Sequence, residues 1–75
     1  MNNVNLKKEW RFIDSERIKV LDKKSLMFEL LNIAKILLLN YMNIKTEKEE
    51  KFYKIVYLKT KKFYLKRRAD AKIKV

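Results

Sequence analysis

Apolar residues dominate the middle of the chain, over Leu26–Met42. Thirteen of these seventeen positions are apolar, and the polar exceptions are Glu29, Asn32, Lys35 and Asn40. At 100° per residue, the four polar positions fall within an arc of roughly 140° on a helical wheel. The pattern therefore predicts a helix with one polar stripe that faces solvent. The rest of the 75 residues must cover the apolar sides of this helix, and we expect Leu37 to lie in the core.

Capping residues bound this predicted helix on both sides. Asp22 is the first choice for the N-cap and Ser25 the second, and Asn43 is the expected C-terminal stop because the chain has no glycine. A membrane span needs about 20 predominantly apolar residues. The apolar run is shorter than that and is interrupted by its polar stripe, so we interpret it as a buried helix of a soluble domain.

The N-terminal segment shows a different period. Over residues 4–12, apolar and polar residues alternate, broken only by Lys8, and the alternation resumes at 18–20 after a predicted turn at 14–17. Alternation places the apolar side chains on one face of a strand, whereas on a helix they scatter around the wheel. We therefore predict a β-hairpin, with a helix from Val4 to Leu21 as the competing interpretation.

The C-terminal segment opens with a helix-start signal that its later residues contradict. Thr46 and Glu49 match a capping box. The apolar residues that follow spread all round a helical wheel, and most are aromatic or β-branched, the types that favour sheets. We predict strands near 52–59 and 62–68, with a turn at 60–61 and a short edge strand or tail over 71–75.

These elements together predict one small α+β domain spanning residues 1–75. Its ββαββ order places two antiparallel hairpins against the single central helix in two layers. An all-α bundle of three helices is the alternative.

Composition excludes several kinds of chemistry. The chain contains no cysteine, histidine, glycine or proline. Thiol nucleophiles, histidine bases, cysteine or histidine zinc sites and glycine-rich phosphate loops are therefore absent. Glu49, Glu50 and Lys51 resemble the acidic-x-lysine half of a metal-nuclease motif, but we interpret the clustered Glu47, Glu49 and Glu50 as a charged loop. We predict no catalytic residue, no metal site and no cofactor.

Charge is concentrated at the C-terminal end. The formal net charge is +11; residues 51–75 hold ten basic residues and one acid, which gives +9, and residues 1–50 hold ten basic residues and eight acids, which gives +2. Aromatic residues alternate with these cations, as in surfaces that bind phosphates and stack on bases. The residues predicted to contact nucleic acid are Lys59, Lys61, Lys62, Lys66, Arg67, Arg68, Tyr57 and Tyr64. Trp10, the only tryptophan, is predicted to be a core residue.

The leading hypothesis is a non-catalytic nucleic-acid-binding or accessory protein that contacts the phosphate backbone of DNA or RNA. The alternative is a small subunit or inhibitor that docks on a larger protein assembly, or a homo-oligomer, because 48% hydrophobic residues exceed what so short a chain hides. An anionic membrane surface is the least favoured partner. We expect an intracellular location, cytoplasmic or nucleoid-associated.

Overall fold

The structure is a computed structural model that describes residues 5–73. It contains three helices, α1 (Leu6–Lys19), α2 (Leu26–Met42) and α3 (Glu47–Ile73). Residues 5–73 contain no strand, so the predicted ββαββ order is wrong and the all-α alternative is confirmed. The predicted strands and turns lie mainly within α1 and α3, at 14–17, 18–20, 52–59, 60–61 and 62–68. Two further predicted segments, at 4–12 and 71–75, are described only in part, because residues 4, 74 and 75 fall outside the described range.

The hairpin prediction for α1 failed because two carboxylates face inward. The alternating pattern assigns Glu9 to the solvent side, but Glu9, Ile13 and Glu16 are the buried residues of α1. Their spacing of four and three residues is the stripe that a helix buries. Because Glu9 was assumed to face solvent, the helical spacing of the buried residues was not recognised.

The same error explains the strands predicted in α3. Tyr57, Lys61, Tyr64 and Arg68 follow one another at intervals of four, three and four residues, which places them along one side of a helix. Tyr57 and Tyr64 are buried, and the two cations between and after them are partly buried. The inner stripe of α3 is therefore half apolar and half cationic, and a search for apolar periodicity alone does not find it.

Polar side chains begin and end α2. Ser25 is the N-cap, with its Oγ accepting the Phe28 N–H at 3.2 Å, so the first-choice cap Asp22 was wrong and the second choice is confirmed. The carbonyl of Asp22 instead accepts the Ser25 hydroxyl at 2.7 Å within the connecting turn. Asn43 is confirmed as the C-cap, and its side-chain amide donates to the Leu39 carbonyl at 3.0 Å.

The predicted capping box starts a much longer helix than expected. The Glu49 N–H donates to Thr46 Oγ1 at 3.2 Å, and the Thr46 hydroxyl donates to Glu49 Oε1 at 3.0 Å. Glu47, Glu49 and Glu50 lie in the first turn of α3, so the charged-loop prediction was wrong. The helix dipole favours carboxylates at this end.

Helix α2 packs against both of its neighbours. Ile13, Ala34, Leu38 and Tyr57 form the core cluster, and Leu31 is also buried. Trp10 packs on this cluster but is only half-buried, so the prediction that it is a core residue holds only in part. No Cα atom of α1 lies within 8 Å of a Cα atom of α3 in the described part of the chain. Long side chains therefore fill the space between α1 and α3.

Candidate nucleic-acid interface

The residues predicted to bind nucleic acid lie on two different sides of α3. Four of them form its inner stripe and point toward α1, namely Tyr57, Lys61, Tyr64 and Arg68. The other four line a groove on its outer side, namely Lys59, Lys62, Lys66 and Arg67. The structure therefore separates the predicted site into an internal network and an exposed surface.

The internal network begins with Glu9 of α1. The Tyr57 hydroxyl donates to Glu9 Oε1 at 2.5 Å, and Lys61 Nζ donates to the same oxygen at 2.8 Å. Tyr57 is only 1% exposed. Its ring is therefore part of the core and is closed to a nucleotide base, while Lys61 already has a carboxylate partner.

The same arrangement recurs one heptad later. The Tyr64 hydroxyl donates to Glu16 Oε1 at 2.7 Å, and Arg68 Nη1 donates to that oxygen at 2.6 Å. Lys19 adds a contact of 3.3 Å to the other oxygen from an exposed position. We call these two sets, Glu9–Tyr57–Lys61 and Glu16–Tyr64–Arg68, the carboxylate triads. Because their order is the same on both helices, α1 and α3 run parallel.

Electrostatics keep both carboxylates charged and both phenols neutral. Burial acts to raise the pKa of Glu9, but hydrogen bonds from Lys61 and Tyr57, together with the positive charges of Lys61 and Lys8, outweigh it and hold that pKa below its ordinary value of 4.5. Burial also acts to raise the pKa of Glu16, and the hydrogen bonds from Tyr64 and Arg68, with smaller contributions, lower it overall. Burial and the neighbouring carboxylate raise the pKa of each tyrosine well above 10.0.

The carboxylate triads predict a loss of stability in acid. A carboxylate whose pKa is lower in the folded state stabilises the protein above its unfolded pKa, and this contribution disappears as the pH falls through the folded value. We therefore expect the midpoint of urea unfolding to fall as the pH drops below about 4.5, the ordinary carboxyl value. A variant with Glu9→Gln and Glu16→Gln should be less stable at neutral pH and should show a flatter pH dependence. An equally steep acid transition in that variant would assign the effect to other acids.

The exposed half of the predicted site surrounds a phenylalanine. Phe63 is 51% exposed, and the guanidinium carbon of Arg67 lies 5.4 Å from the centre of its ring. The groove has a volume of about 690 Å³ and is completed by Met27, Asp70 and Ala71. Asp70 is the only acid in its lining. The groove is therefore a cationic surface with one accessible aromatic ring.

Two further lysines extend this surface along α3. Lys48 and Lys51 are exposed and share the helical face of Lys59, Lys62 and Lys66, with Ile55 between the two groups. The positions 48, 51, 55, 59, 62 and 66 are separated by three or four residues throughout. We call the five lysines the lysine stripe. None of the ion pairs found in residues 5–73 involves them.

Sequence reasoning missed Lys48 and Lys51 because it placed them in a connection before a hairpin. The sequence nevertheless contains a signal, which is the spacing of these lysines at intervals of three and four residues. This spacing places them on one surface only if the segment is helical. Within the described residues, no group of three or more acids is placed to hold a metal ion. No helix in that range is both long enough and apolar enough to cross a membrane.

Comparison with known proteins adds no family to this picture. No family model, no curated protein and no solved structure matches the chain. A functional proposal therefore depends on the geometry and charge of the surface described above.

Proposed function

We propose that this chain is a non-catalytic nucleic-acid-binding protein that contacts the phosphate backbone through the lysine stripe and the adjoining Arg67. The observation that carries the proposal is the alignment of five exposed lysines on the outer face of one helix. Basic residues clustered along a helix are the electrostatic footprint expected of such proteins. Such a role is expected inside the cell, in the cytoplasm or on the nucleoid.

The dimensions of the lysine stripe suit a phosphate backbone. From Lys48 to Lys66 the helix advances eighteen residues, or about 27 Å at 1.5 Å per residue. Duplex DNA carries one charge per about 1.7 Å of its axis, so a length of duplex that matches the stripe carries several phosphates for each lysine. Each lysine contributes a point charge without the bidentate geometry by which arginine reads bases. We therefore expect binding with little sequence preference.

The aromatic contribution is smaller than the sequence suggested. Phe63 is the accessible ring of the groove, whereas Tyr57 and Tyr64 are buried in the carboxylate triads. Single-stranded binding proteins gain affinity from several successive stacking platforms. Phe63 is the one such ring in the groove, and Phe52 of α3 is a second exposed ring at 58%, so the proposal rests on backbone charge and not on stacking.

A charge-removal experiment tests the proposal. The change replaces the four groove cations Lys59, Lys62, Lys66 and Arg67 by glutamine. The plot of log K for duplex DNA against log salt concentration should then become less steep by up to about 3.6, since each phosphate contact contributes about 0.9 to the slope. All four side chains are exposed, so each change should alter stability by less than about 0.5 kcal/mol. Fluorescence anisotropy over a salt series measures the slope, and circular dichroism checks the fold.

A charge-matched variant provides the control. Lys7, Lys8, Arg11 and Lys24 are also exposed but belong to α1 and the α1–α2 connection. Replacing them by glutamine removes the same total charge and should leave most of the slope intact. Equal losses in the two variants would mean that net charge alone drives binding. Absence of binding to DNA and RNA at low salt would contradict the proposal itself.

A further inference from the structure

A second groove lies between α1 and α2, near the opposite end of α2 from the cationic groove. Leu6 and Trp10 of α1 and Leu39 and Met42 of α2 form its apolar lining, within a volume of about 400 Å³. Leu39 is 43% exposed and Met42 is 56% exposed. These side chains form a continuous apolar surface that the three helices leave uncovered, of the kind that marks interaction sites.

Cations border this apolar lining. Lys7 and Arg11 complete the groove itself. Farther along the α1–α2 seam, Lys35 Nζ lies 5.5 Å from the centre of the Trp10 ring, and the Arg17 guanidinium lies 5.2 Å from that of Phe28. The cationic border therefore extends beyond the groove along the length of the seam.

Exposed acids are scarce on α1. Helix α1 has three acids, Glu9, Asp14 and Glu16. Glu9 and Glu16 are buried in the carboxylate triads and face α3, which leaves Asp14 as the exposed acid of α1. The groove therefore combines an apolar lining with a positive border.

We propose that this groove binds an acidic amphipathic helix of a partner protein. Such a helix presents apolar anchors at intervals of three and four residues, which suit an apolar groove between two helices, and flanking carboxylates that suit Lys7 and Arg11. A second copy of this chain fits poorly because its charge of +11 repels the same charge. Nucleic acid fits poorly because phosphates gain nothing from the apolar lining.

The apolar groove is separate from the cationic groove. Met27 lines the cationic groove and Met42 lines the apolar groove. These methionines are fifteen residues apart on α2, a distance of about 22 Å along the helix. The two grooves therefore lie at opposite ends of α2, and the inference does not depend on nucleic-acid binding.

Trp10 provides a built-in reporter for the test. It is the only tryptophan, so the tryptophan emission of the full chain comes from the groove lining. The probe is a tryptophan-free synthetic helix with leucines at i, i+3, i+4 and i+7 and glutamates between them. We expect a saturable blue shift of Trp10 emission with this peptide. The same peptide with lysines in place of the glutamates should bind at least about tenfold more weakly.

Matched substitutions locate the binding surface. Leu39→Glu with Met42→Glu should weaken peptide binding by at least about tenfold, because a charge in the groove opposes burial of the anchors. Ile33→Glu with Ile36→Glu is the control, since these residues lie on the same helix at 46% and 56% exposure but outside the groove. Equal losses in both variants, or none in either, would overturn the proposal.

Charge reversals separate the two surfaces. Lys7→Glu with Arg11→Glu should weaken peptide binding and spare duplex DNA binding, whereas Lys59→Glu with Lys62→Glu should do the reverse. Equal affinity for the acidic and the basic peptide would overturn the inference. So would a Trp10 shift that depends only on protein concentration, which would indicate a second copy in the groove. A shift seen with anionic lipid vesicles and absent with the acidic peptide would also overturn it, in favour of a membrane surface.

Discussion

Replacing Leu38 by alanine should lower the free energy of unfolding by about 2–5 kcal/mol. Leu38 is 1% exposed and belongs to the core cluster with Ile13, Ala34 and Tyr57. The substitution removes buried apolar surface and leaves a cavity that neighbouring helices fill only in part. For a domain of this size, each kcal/mol lowers Tm by about 4–8 °C, so thermal unfolding followed by circular dichroism measures the effect easily.

The neighbouring leucines provide graded controls within the same turn of α2. Leu37 is half-buried against the core cluster, and Leu39 is exposed in the lining of the apolar groove. We expect alanine to cost most at Leu38, less at Leu37 and least at Leu39. Equal costs at all three positions would contradict the orientation of α2 in this fold.

The three leucines also show the limit of what the sequence could predict about α2. Its end at Met42 and its stop at Asn43 were predicted correctly, and its start agrees with the second-choice cap, Ser25, because apolar density and capping chemistry are local properties. The buried direction depends on where α1 and α3 lie. The sequence therefore favoured Leu37 as the core position, whereas Leu38 is the one that is fully buried.

The other two helices could not be predicted from apolar periodicity, because their inner faces are partly charged. Glu9 and Glu16 on α1 are matched by Lys61 and Arg68 on α3. Each half of this pattern looks like solvent-exposed charge when it is considered alone. The four residues form paired contacts between α1 and α3 only when the two helices lie side by side. Their pairing therefore depends on the tertiary structure and not on local sequence.

The cationic character of the candidate surface was predicted from the sequence, and the structure changes which residues can belong to that surface. The excess of cations in the C-terminal third lies on α3, the helix that carries the proposed surface. Of the eight residues named, however, Tyr57 and Tyr64 are core side chains, while Lys48 and Lys51 on the same outer face were omitted. A correct helix assignment supplies both corrections at once, because helical spacing separates the inner stripe from the outer one.

Replacing one member of a carboxylate triad should lower the free energy of unfolding more than replacing two members. Glu16→Leu leaves the buried Tyr64 hydroxyl without its acceptor, an effect worth about 1–3 kcal/mol. Arg68 is 36% exposed at its side chain and can turn toward water, so its loss of a partner adds little. Adding Tyr64→Phe removes the unsatisfied hydroxyl as well. The double variant should therefore be more stable than Glu16→Leu alone.

The paired triads also fix the register of α1 against α3. Glu9 and Glu16 are seven residues apart, and so are Tyr57 and Tyr64. If α1 slid by one heptad, one carboxylate would keep a tyrosine partner and the other would lose it, at the cost of an unsatisfied buried acid. The pairs are about 10 Å apart along each helix, so their contributions should add within about 0.5 kcal/mol. Urea unfolding of Glu9→Leu, Glu16→Leu and the combined variant tests this, and a combined loss no larger than either single loss would show that one triad alone sets the register.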